Sequence, residues 1–188
     1  MLSTLDQEIA DERATFIEAM SYVVSSVAVA TTDGPGGRFG LTVSSFCSLD
    51  ADPPMVLVCI SQRSPIVRAL LQNRVVGISV LAESHAELAD TFAGRPHDGP
   101  AYDFSRWSWT SGETGVPLLD GAVAHFDCDL AESYTAATHV IFTARVRQTD
   151  VYPAVPLLYG RRSYSLPAPL PVYDAPANNE PAPREDME

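Results

Sequence analysis

The run Gly40-Leu41-Thr42-Val43-Ser44-Ser45-Phe46-Cys47-Ser48 interleaves hydroxyl and apolar side chains before it reaches Pro53-Pro54. In an extended strand, a period of two sends alternate side chains to one face. There, hydroxyls and unpaired backbone N–H groups can hydrogen-bond a planar heterocycle and its phosphate. The same pattern also fits an edge strand with one polar face. Ser64-Pro65 forms a second feature, with Ser at an N-cap and Pro at the first helical position. Arg63 stands beside that helix start and Arg68 lies one turn in. Free N–H groups at a helix N-terminus with nearby arginine bind phosphate without any lysine. An ordinary capped helix with solvated arginines reads the same way. His139 begins an apolar strand and Tyr164 follows Arg161-Arg162-Ser163. Chemistry alone singles out neither.

Other chemistries are excluded. Gly77-Ile78-Ser79-Val80-Leu81 lacks the closing glycine of a nucleophile elbow. The histidines at 85, 97, 125 and 139 show no metal-ligand spacing, and no metal site is expected. Cys47, Cys59 and Cys128 are odd in number and far apart, which suits three reduced thiols better than a disulfide framework. The glycines of 34–37 do not form G-x-G-x-x-G, so the usual dinucleotide fingerprint is missing. Of the 188 residues, 24 are acidic and all 12 basic residues are arginine, for a net charge of −12. That balance argues against nucleic acid and anionic membranes as partners. Without lysine there is no Schiff base and no P-loop. The acidic, amphipathic N-terminus is no secretory signal, and no apolar run approaches a membrane span. A cytoplasmic protein is expected.

The positioning elements follow from periodicity and punctuation. Residues 1–20 read as an N-terminal helix, formed from about Asp6 to Met20 and opened by a Thr4/Gln7 capping box. Tyr22–Thr32 and Arg38–Ser48 read as strands, joined through the glycine-rich 33–37 turn into a hairpin. Met55–Ile60 is a continuous apolar run, as expected of a strand covered on both faces. A helix to Asn73 and a strand over Val75–Leu81 come next. A capping box at Ser84/Glu87 then opens a helix that Gly94 ends. Residues 95–117 read as loop, followed by strands near Ala122–Glu132, His139–Val151 and Leu157–Ser165. Residues 21–165 form one mainly β domain, a β-barrel with helices. The Pro- and acid-rich residues 166–188 form a tail without the apolar surface to fold.

In this order the segments FIEAMSYVVSSVAVATT, GLTVSSFCSLDADPPMVLVCI, VVGISVLAESHAELADTFAG, PLLDGAVAHFDCDL, THVIFTARV and PLLYGRRSY resemble the short-chain flavin reductases. That split-barrel family includes reductase components of two-component flavin monooxygenases. The resemblance implies a homodimeric split β-barrel that reduces FAD or FMN with NADH or NADPH. It implies flavin contacts from Thr42, Val43, Ser44 and Ser45, and a phosphate and ribityl side at Cys59, Ser61 and Ser64, next to the Arg68 read above from the helix start. Phe92 and Ala93 match a loop at the flavin. His139 and Tyr164 match residues near the nicotinamide, where the family commonly has Gly-Asp before the histidine and this chain has Ala137-Thr138. The implied partner is a separate monooxygenase that receives reduced flavin. The Arg-only, Pro- and Ala-rich composition suits a high-GC genome and natural-product metabolism. A barrel with tightly bound flavin and its own substrate, or a non-catalytic flavin-binding module, are the other readings.

Overall fold

The computed structural model describes residues 4–169. The expected tail falls almost wholly outside them, as does the Thr4 side chain of the first capping box. The chain opens with helix α1 (Thr4–Ser21) and strands β1 (Ser25–Ser26), β2 (Ala28–Thr32), β3 (Phe39–Val43), β4 (Phe46–Ala51) and β5 (Pro54–Ser61). Helix α2 (Ile66–Asn73), strand β6 (Val75–Val80), a 3-10 turn (Glu83–His85) and helix α3 (Ala86–Phe92) follow. Strands β7 (Trp109–Ser111), β8 (Pro117–Leu119), β9 (Ala124–Ala136), β10 (His139–Val151), β11 (Leu158–Gly160) and β12 (Ser163–Ser165) complete it.

Seven strands form one antiparallel sheet in the order β3-β2-β6-β9-β10-β5-β4. Its two edges, β3 and β4, are consecutive in the chain and separated only by Ser44 and Ser45. Two residues cannot span the width of a flat seven-stranded sheet, since strands lie roughly 4.8 Å apart. The sheet therefore curls until its edges meet, giving a barrel split at Ser44-Ser45. The single strand expected over Arg38–Ser48 is thus two strands on opposite edges. On the β4 side the ladder with β5 runs one residue further: the Cys59 N–H donates to the Ser45 carbonyl (3.1 Å) and the Ser45 hydroxyl donates to the Cys59 carbonyl (2.7 Å).

Inside the barrel, Ala28, Ala30, Val58, Ile60, Ile78, Leu130 and Phe142 form a core that Ile66 and Leu70 of α2 join. Cys128 belongs to this core, and burial with the neighbouring Asp127 and Asp129 pushes its thiol up to about 12. Outside, Val27 and Val29 pack with Leu81, Leu88, Ala89 and Phe92 in a second core beneath α3. Strand β2 is buried on both faces because it divides these two cores. β5 is not: Val56, Val58 and Ile60 are buried, but Met55, Leu57 and Cys59 remain half-buried. Both-face coverage, expected from its apolar run, is not supplied by this chain alone.

Local punctuation differs at four other places. The strand expected over Tyr22–Thr32 is broken at Val27 into β1 and β2. The 95–117 segment contributes β7, which pairs with β8. In place of a helix capped by Ser84, a 3-10 turn forms, and the Ala82 N–H donates to Nδ1 of His85 (3.1 Å). Leu157–Ser165 is a hairpin, β11 with β12, whose turn residues Arg161 and Arg162 have φ of 50° and 63°. Arg161 lies over the Tyr22 ring, 5.2 Å from its centre, and Arg162 stands 3.6 Å from Glu18, so the turn is held against the end of α1. Among the described residues, no helix is long and apolar enough to cross a membrane.

Candidate active site

Thr42 lies on the outer face of β3, since its neighbours Leu41 and Val43 pack against the barrel core, and Ser44 follows directly at the end of the strand. Thr42 donates its hydroxyl to the Ala89 carbonyl of α3 (2.7 Å), tying strand to helix. Between them opens a cavity of about 170 Å³ lined by Val27, Thr42, Ser44, Ala93, Arg95, Tyr159 and Tyr164. The Tyr164 phenol donates to Asp90 (2.9 Å), and Arg95 stands 3.9 Å from the same carboxylate. Burial, then the hydrogen bond to Asp90 and its charge, hold the phenol above its ordinary range. The tyrosine therefore remains a neutral hydrogen-bond donor at physiological pH.

Four residues singled out in the sequence, Thr42, Ser44, Ala93 and Tyr164, meet in this cavity. Ser45 and Cys59 pair with each other at the end of the β4–β5 ladder. Ser61 faces His139 in the β5–β10 ladder, and Gln62 holds the 137–138 turn by donating to the Ala137 carbonyl (3.0 Å). Ala137 has φ of 49°, a conformation that favours glycine, and Thr138 Oγ1 lies 3.0 Å from His139 Nδ1. Among the described residues, no contact joins His139 to the Tyr164 cavity.

The remaining candidates are placed differently. Ser64 lines a second cavity, but it is not the N-cap: Pro65 occupies that position, and no side chain caps the helix. Pro65 has no N–H to give and carries helical φ, so α2 begins one residue later than expected. Arg68 is exposed on α2, without an ion pair among the described residues. Val43 and Phe92 point into the cores, with Phe92 fully buried against Phe104 and Trp109. A ligand contact at either position would come from the backbone. Phe92 instead supports the site from below, because its ring packs where a Cβ on Gly40 would lie.

Arg95, Asp90 and Tyr159 escaped the sequence reading. Arg95 directly follows Ala93-Gly94, which marks the end of α3, so its position at a helix exit was a usable signal. The break at Ser44-Ser45 also left a trace. Val43 and Phe46 are three residues apart, which interrupts the period of two.

The donor set suits a flavin. Among the described residues, the N–H groups of Ser44 and Ser45 and the Ser44 hydroxyl have no hydrogen-bond partner. Such groups can meet the carbonyl and nitrogen acceptors of a heterocycle, while Arg95 offers a positive charge at the same opening. Among the described residues, no group of three or more His, Cys, Asp and Glu is placed to hold a metal.

The model of the flavin reductase like domain matches residues 20–166. A protein of Methylorubrum extorquens (strain PA1) named FMN reductase (NADH) RutF 2 is 40% identical over 154 residues, covering 81% of this chain and 88% of that protein. The Streptomyces globisporus C-1027 NADH:FAD oxidoreductase SgcE6 is 28% identical with a TM-score of 0.75, over 84% of this chain and 95% of that one. The styrene monooxygenase flavin reductase of Pseudomonas putida S12 is 30% identical with a TM-score of 0.73, over 83% and 99%. The split barrel and the sequence agree, and this chain belongs to the flavin-reductase-like family of enzymes.

Proposed function

We propose that residues 21–165 form an NADH:flavin oxidoreductase that reduces FMN or FAD and releases it to a separate monooxygenase. The observation that carries this reading is the barrel split, where unpaired N–H groups of Ser44 and Ser45 stand beside the cavity of Thr42, Arg95 and Tyr164. The relative named for FMN and NADH supports those cofactors, and the neighbour named for FAD keeps FAD as a second flavin. The styrene monooxygenase reductase supports the oxygenase partner. The protein acts as a cytoplasmic homodimer on this reading.

When both cofactors are bound, they supply the redox chemistry, a hydride transfer from nicotinamide to flavin. The chain supplies placement, which can contribute roughly 7–11 kcal/mol to such a step. The Ser44 and Ser45 N–H groups would hold the bound flavin, and Arg95 would offset negative charge on its reduced form. Tyr164, locked by Asp90, forms one wall of the cavity. His139, with Nδ1 beside Thr138, would orient the nicotinamide carboxamide without moving a proton. Purified protein tests the reading. A colourless preparation that oxidises NADH only when FMN or FAD is added is the expected result. A yellow preparation inert to NADH would refute it.

A further inference from the structure

A cavity of about 390 Å³ opens where β9 and β10 meet the β7–β8 hairpin. Strands β2 and β6 separate β9 from β3, and this cavity shares no lining residue with that of Tyr164. Phe126 and Cys128 pack against the barrel core, which turns His125 of β9 outward into the cavity. His125 is 5% exposed, and its Nε2 donates to the Leu119 carbonyl (2.6 Å). A carbonyl only accepts, so Nε2 carries the proton and Nδ1 of the neutral ring is left as an acceptor. Nδ1 has no partner among the described residues. Every fully buried side-chain nitrogen or oxygen among them does have one, so Nδ1 opens into the cavity. Asp150 of β10 stands directly opposite His125 in the β9–β10 ladder, on the same face. One Asp150 oxygen accepts from Nε2 of Gln148 (2.9 Å), and one Asp120 oxygen accepts from the Thr110 hydroxyl (2.7 Å). The second oxygen of each carboxylate has no hydrogen-bond partner among the described residues, and neither aspartate forms an ion pair among them. The Tyr152 ring is set edge-on to His125, 5.4 Å between centres, and Leu118 adds an apolar wall.

We propose that this cavity binds a small alkylguanidinium compound. Its walls offer three acceptors, Nδ1 of His125 and the free oxygens of Asp120 and Asp150, with no protein cation among them. Acceptors gathered in this way call for a ligand rich in N–H donors. A guanidinium carries five such donors in a planar fork and no acceptor, so one head group can answer several of these atoms. Among the described residues, no three His, Cys, Asp or Glu groups are placed to share a metal ion, which favours a head group wider than an ion. The alkyl stem lies against Leu118 and Tyr152, whose ring also attracts a cation. The volume falls at the lower end of the ~300–1,000 Å³ of small-molecule sites. This binding site goes beyond flavin reduction and uses none of the residues placed at the flavin.

Isothermal titration calorimetry on the full chain tests the proposal. Butylguanidinium is the probe, and butylurea is a neutral control of the same shape. Saturable binding of butylguanidinium is expected, with none of butylurea. Asp120→Asn and Asp150→Asn keep an oxygen for Thr110 and Gln148 but remove the charge, and each should weaken binding about tenfold. Asp98→Asn removes an equal charge from the surface outside the cavity and should leave Kd unchanged. Saturating FMN should leave it unchanged too. The proposal is overturned if butylguanidinium does not bind, if butylurea binds equally, or if the Asp120 and Asp150 variants bind like the wild type. It is also overturned if Asp98→Asn weakens binding as much as they do, which would mean general attraction to an acidic chain. Displacement of the probe by FMN would place it in the flavin cavity and overturn the proposal as well.

Discussion

At the scale of single residues, Tyr164 shows how the site is kept in one state. Its phenol is raised above its usual range by burial first and then by Asp90. A raised acid pKa stabilises the fold fully below the unfolded value near pH 10, and that contribution is lost as pH rises toward the folded value. Tyr164→Phe keeps the ring but removes the bond to Asp90. It should cost about 1 kcal/mol in urea unfolding at pH 7 and lose this part of the alkaline dependence. It should also lower kcat/KM for flavin, because Asp90 is then free to pair with Arg95, 3.9 Å away, and draw it from the cavity. An unchanged urea midpoint would mean that the bond to Asp90 contributes nothing.

At the scale of elements, β3 and α3 meet so closely that only glycine fits between them at position 40. A Cβ there would lie 2.6 Å from Phe92 and 3.0 Å from Phe104. Gly40→Ala should therefore destabilise the protein by about 1–3 kcal/mol and weaken flavin binding, because the displaced rings support the cavities of Tyr164 and Ser64. Thermal unfolding and flavin titration measure the two effects. The 3-10 turn before α3 gives a separate prediction. Burial lowers the pKa of His85, whose Nδ1 accepts the Ala82 N–H and must be unprotonated to do so. A depressed base pKa gives stability that is present above about pH 6.5 and lost as pH falls through the folded value. His85→Gln should flatten that acid limb of the urea midpoint between pH 7.5 and 5. These elements also show what was legible. The β5, β9 and β10 runs are readable as strands, but the alternate burial of Val56, Val58 and Ile60 is not, because Met55, Leu57 and Cys59 between them are equally apolar. Nor is the order of the strands, because pairing β3 and β4 to opposite ends of the sheet depends on long-range contacts. The Arg161-Arg162 turn carries no glycine or asparagine, the usual mark of positive φ. Arg38, Tyr102 and Phe104 are distant in sequence from Ser64, and only the packing of the 95–108 segment over β3 brings them to one cavity.

At the scale of the molecule, charge and apolar surface are distributed unevenly. Residues 1–20 and 166–188 each carry a net charge of −4, leaving −4 for the 145-residue span between them. The barrel is thus only mildly acidic and retains 10 arginines to receive anionic cofactors. Apolar surface is concentrated where α1 leads into the barrel. Phe16 is 66% exposed, and Met20, Tyr22, Val23 and Val24 are each about half exposed. Met55, Leu57 and Cys59 on β5 add half-covered side chains on the barrel wall. A monomer rarely leaves so many large apolar groups in water, and burying one relative to leaving it exposed gains roughly 1.5–3 kcal/mol. A second copy of the chain covers such surface symmetrically without needing a partner of opposite charge. Sedimentation equilibrium should therefore return twice the 20.3 kDa chain mass. Phe16→Asp with Met20→Asp should shift that mass toward the monomer while far-UV circular dichroism stays unchanged, because neither side chain belongs to the two barrel cores. A wild-type protein that sediments at 20.3 kDa would refute the homodimer, and a double variant that stays dimeric would move the interface from α1 to the wall at β5.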